Sequence, residues 1–93
     1  MKLRFASITN ANAVQVMNDV TAAIRAGDAS IDLEAVHSCD TAAVACVLAW
    51  LRAARAAGRE LELVALPPAL LSLAQLYGVA ALVSAAQRPP VAH

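Results

Sequence analysis

Three glycines divide this chain, Gly27, Gly58 and Gly78, and each falls just past a run with helical spacing. A glycine there can take the left-handed conformation that closes a helix, so each marks the end of a strand-and-helix unit. Before Gly27, the apolar positions Ala13, Val16, Met17, Val20, Ala23 and Ile24 recur at the helical period, with Thr9 and Asn10 on offer as caps. A long Ala-rich helix opens at Asp40 and stops at Gly58. Pro67 and Pro68 suit the start of a third helix, from about Ala69 to Tyr77, with Leu70, Leu73, Ala74 and Tyr77 facing inward and Gly78 closing it.

The stretches between these helices alternate with the two-residue period of strands. Leu3, Phe5 and Ser7 share one face while Lys2 and Arg4 share the other, as in a half-exposed strand near a sheet edge. Ala29, Ile31 and Leu33 alternate with Ser30, Asp32 and Glu34 and lead on through Ala35 and Val36. Leu61, Leu63 and Ala65 alternate with Glu62 and Val64. The apolar piece from Val79 to Val83 is too short to assign. Strand then helix, repeated, predicts an α/β domain over residues 1–87, a small mixed and partly parallel sheet with helices packed on it. Arg88-Pro89-Pro90 opens a flexible C-terminal tail over 88–93.

Ninety-three residues supply one small core. The 60% hydrophobic content is inflated by alanine and only 3% is aromatic, so Leu, Val and Ile must build that core. Seven basic residues balance seven acidic ones, which leaves no electrostatic footprint for a nucleic-acid backbone. Residues 63–87 carry no charge, a length that could nominally span a bilayer. Pro67, Pro68, Ser72, Gln75, Gly78 and Ser84 break it, and direct membrane insertion is not expected. The polar residues from Ser7 to Asp19 interrupt any signal-peptide core, so the expected location is the cytoplasm.

Functional attention falls on the junction from His37 to Leu48. Asp40 is a preferred N-cap, which puts Thr41 at the first helical position with its hydroxyl free beside the partly positive helix start. The plainer alternative is that Thr41 itself caps, or is a surface Thr. His37 and Cys39 could be read as base and nucleophile, but no third group orients them, so catalysis is not expected. The spacing of Cys39 and Cys46 makes neither a zinc knuckle nor a CxxC motif, and no phosphate-binding glycine loop can be assembled. No cofactor and no metal are expected. Along the long helix Val44, Val47, Leu48 and Leu51 form a core-facing stripe with Trp50 and Ala54 beside it. Its smooth Ala42, Ala45, Cys46, Ala49, Ala53, Ala56 and Ala57 side fits close packing on another helix, within the domain or across an interface, or simple helix propensity.

The ordered set Ile8-Thr9-Asn10-Ala11-Asn12-Ala13, Ile31-Asp32-Leu33-Glu34-Ala35-Val36, Asp40-Thr41 and Leu66-Pro67-Pro68 through Leu73-Ala74-Gln75-Leu76-Tyr77-Gly78-Val79 resembles the STAS domain family over residues 3–82. Asp40-Thr41 and Leu73-Ala74-Gln75-Leu76-Tyr77 carry a likeness to its MlaB-type members, small cytoplasmic subunits of a phospholipid ABC transporter. That resemblance implies a non-catalytic subunit that binds an MlaF-like ATPase, and through it the membrane permease, peripheral to the inner membrane. The partner-binding residues it implies are Asp40, Thr41, Ala42, Ala43 and Cys46, and a homodimer of the isolated chain stays open. The alternative is an anti-sigma-factor antagonist binding an anti-sigma kinase. Members of that type typically read Asp-Ser-Ser-Gly and are phosphorylated on the second Ser; Ala42 and Ala43 stand at the last two positions here.

Overall fold

The computed structural model describes residues 1–88. In chain order its elements are β1 (Ser7–Ile8), α1 (Ala13–Ala26), β2 (Ser30–Asp32), β3 (Ser38–Cys39), α2 (Thr41–Ala56), β4 (Glu62–Val64), α3 (Pro68–Leu76), α4 (Ala80–Ala86) and β5 (Gln87–Arg88). β1 pairs with β3, while β4 lies between β2 and β5. Among the described residues every one of these ladders is parallel, where the sequence predicts a mixed sheet. Parallel neighbours need a crossover between them, and α1 supplies one between β1 and β3, α2 between β2 and β4, and α3 with α4 between β4 and β5.

The opening residues border both small sheets. Leu3 N–H donates to the Asp32 carbonyl at 3.0 Å, His37 N–H to Ala6 at 2.8 Å, and Asp40 N–H to Ile8 at 3.1 Å. Leu3 is buried and Lys2 and Arg4 are exposed, as the alternation predicts. The same alternation predicts a continuous strand over 29–36, and the chain breaks it. Asp32 Oδ1 accepts from Glu34 N–H at 2.8 Å and Val36 N–H turns back to the Leu33 carbonyl, an Asx turn that competes with strand pairing.

Burial gathers Leu3, Ile8, Ile31, Leu33 and Leu63 from the sheet side with Val16, Val20 and Ile24 of α1 and Val44, Val47 and Trp50 of α2. The α2 stripe is rotated from its predicted position: Ala43, Cys46 and Ala54 are buried, and Leu48 and Leu51 only half so. Part of its small-residue side packs on α1, where Cys46 Sγ donates to the Ala13 carbonyl at 3.5 Å, while Ala45 is exposed. Trp50 fills the centre at 0% exposure, and its indole Nε1 has no hydrogen-bond partner among the described residues.

Two further differences lie near the C-terminus. Tyr77, predicted inward, is 54% exposed, because α3 ends at Leu76 and Tyr77 sits at its C-cap. The unassigned 79–83 piece is the N-cap and opening of α4, which buries Val83. Gln87–Arg88 pairs with β4, and the rest of the tail expected over 88–93 lies outside the described residues. Among those residues no helix is long and apolar enough to cross a membrane.

Candidate functional site

β1 and β3 run side by side and each feeds a helix, so the turn before α1 and the start of α2 emerge from one end of the pair. Asp40 has extended backbone at φ −112° and its side chain caps α2. Its Oδ1 accepts from Ala42 N–H at 2.8 Å, and its Oδ2 accepts from Asn10 N–H at 3.0 Å. One carboxylate thus joins two segments far apart in sequence.

The Thr9–Asn12 turn is held locally as well. Asn12 Oδ1 accepts from Thr9 N–H at 2.9 Å, Asn12 Nδ2 donates to the Ser7 carbonyl at 2.9 Å, and Ala11 N–H donates to Thr9 Oγ1 at 3.3 Å. Thr9 and Asn10, predicted as caps of α1, are therefore turn residues, and the N-cap is Asn12. Sequence reading missed Asn10 as a neighbour of the α2 start; the Thr9-Asn10-Ala11-Asn12 run was the available signal.

Thr41 is exposed at the first position of α2. Because Asp40 does the capping, the Thr41 hydroxyl is not needed for it. Ala42 is half-buried beside it. Ala43 and Cys46 are both fully buried at 0% exposure, so they locate α2 against its neighbours and present no surface to a partner. The outward part of the predicted set is Asp40, Thr41 and Ala42, with Asn10 and Ala11 exposed on the adjoining turn. Val14, 72% exposed, stands on the first turn of α1.

His37 is exposed and Cys39 half-buried. Burial, and second the Asp40 carboxylate, push the Cys39 thiol above its ordinary range, and the same two causes act on Cys46. A nucleophilic cysteine needs the opposite shift. Among the described residues no three His, Cys, Asp or Glu side chains gather as a metal site. An open depression of about 870 Å³ lies at the far end of α2, lined by Leu51, Arg55, Arg59, Glu60 and Leu82 among others. Its charges are of both signs and it does not include the Thr41 junction.

Residues 6–84 match the model of the family described as Mlab, STAS domain. Among solved structures, the chain is similar to the anti-sigma factor antagonist SpoIIAA in its unphosphorylated form, with a TM-score of 0.70 at 18% sequence identity over 97% of this chain and 76% of that one. At that identity the likeness is one of fold. Curated protein sequences yield no match.

Proposed function

The chain belongs to the MlaB-like STAS domain family, and on that premise we propose that it is a non-catalytic subunit that binds and stabilises the ATPase of a phospholipid-transporting ABC system. In this reading it works in the cytoplasm, held at the inner membrane through the ATPase and permease. The observation that carries it is the exposed Thr41 at the head of α2, relieved of capping by Asp40. A hydroxyl held on a fixed backbone and open to solvent can pair with a partner's polar group at little ordering cost.

Ala42 favours this reading over the anti-sigma-factor antagonist. The position that resembles the phosphorylated Ser of those proteins carries a methyl group, which accepts no phosphate. A constitutive subunit has no need of that acceptor. The fold itself serves both roles, since one fold hosts many functions.

The test is co-expression of the tagged chain with the ATPase subunit of the same organism's phospholipid ABC transporter and, in parallel, with its anti-sigma kinases. Stoichiometric copurification of the ATPase is the expected result. Copurification of a kinase alone would replace the reading with the antagonist.

A further inference from the structure

The two oxygens of the Asp40 carboxylate are engaged differently. Oδ1 holds Ala42 N–H and caps α2, a task that Asn or Ser performs nearly as well. Oδ2 holds Asn10 N–H, 30 positions away. The two bonds together demand a carboxylate: an Asn that keeps its oxygen on the Ala42 N–H turns its amide nitrogen, a donor, toward the Asn10 N–H.

The other side-chain bonds of the turn stay within residues 7–12, so they give it shape and hold it to β1 without a direct bond to the head of α2. The main-chain bond from Asp40 N–H to Ile8 fixes where the turn begins. Asn10 lies two residues further on, and among the described residues Asp40 Oδ2 is what ties it to the head of α2. Asn10 and Thr41 are both exposed, while Asp40 is half-buried with both oxygens occupied.

We propose that Asp40 is the positioning residue of the partner face, its second oxygen fixing the Thr9–Asn12 turn beside α2 so that Asn10 and Thr41 meet the ATPase as one surface. The inference rests on the partner reading above. A face assembled from two segments binds well only if both are ordered beforehand, since ordering a loose turn on contact is drawn from the binding free energy.

Asp40→Asn separates the cap from the bridge. In this chain it keeps the melting temperature and the slow hydrogen exchange of the Ala42 amide, while exchange of the Asn10 amide rises about tenfold or more and affinity for the ATPase subunit falls about tenfold, the scale of one lost hydrogen bond to a charged group. Asp40→Ala loses both functions and some stability. Wild-type affinity in Asp40→Asn, unchanged Asn10 exchange, or affinity lost only in step with melting temperature would each overturn the positioning role. Thr41→Glu measured alongside keeps the two ideas apart: if it abolishes binding while Asp40→Asn does not, the partner reading survives and the positioning role falls. If the wild-type chain does not bind the ATPase, both fall.

Discussion

The guanidinium of Arg59 donates through Nη1 to the Ile24 carbonyl at 2.6 Å, reaching across 35 positions to close the end of α1. A cation among the last carbonyls of a helix is favoured by the helix dipole, and here it adds a second donor to the Ile24 carbonyl, which also accepts from Gly27 N–H at 3.1 Å. Arg59→Ala is expected to lower stability by about 1 kcal/mol. Urea denaturation checks this as a fall in midpoint at constant slope, and partner affinity, read at the other end of α2, should be unmoved.

Ala65 has φ 56°, the left-handed region that side chains with a Cβ disfavour. It lies between β4 and the buried Leu66-Pro67 pair that leads into α3. Ala65→Gly relieves that conformation and, after its cost in unfolded-chain entropy, is expected to raise stability by about 0.5–1 kcal/mol. Ala65→Val should lower it. Paired thermal melts of the two variants check the sign.

Cys39 and Cys46 set an expectation for alkaline pH. Both thiols titrate above their ordinary range in the folded chain, first through burial and then through Asp40. The unfolded chain therefore gives up these protons at lower pH than the folded one, and stability falls as pH rises through the ordinary thiol range toward the folded values. Below that range their contribution is complete. Denaturation midpoints measured from pH 7 to 10 should decline, and Cys46→Ala should flatten part of the decline.

α1, α2 and α3 were legible because apolar spacing and the stops Gly27, Gly58 and Gly78 agree, and all three glycines take positive φ. The break between β2 and β3 was hidden, since Asp32 fits the exposed phase of a strand and also the head of an Asx turn. α4 was hidden because Ala80-Ala81 and Ala85-Ala86 give no contrast of faces. Ala43 and Cys46 entered the candidate site with the family resemblance, and both are core at 0% exposure. Asp40 as a cap could be read from local chemistry. Its bond to Asn10 could not, because nothing local shows which turn the β1–β3 pairing brings alongside.

In the proposed function Thr41 is a partner contact and not a cap. Calorimetric titration of the ATPase subunit with wild type, Thr41→Ala and Thr41→Glu, each with its own melting curve, distinguishes the two roles. With Asp40 capping α2, both variants should keep stability within about 0.5 kcal/mol of wild type, as for surface positions. Thr41→Ala should weaken binding by about 1–3 kcal/mol, and Thr41→Glu, which brings a carboxylate into a desolvated contact, should abolish it. Wild-type affinity in the folded Thr41→Glu protein, or affinity lost only as the fold is lost, would contradict the claim.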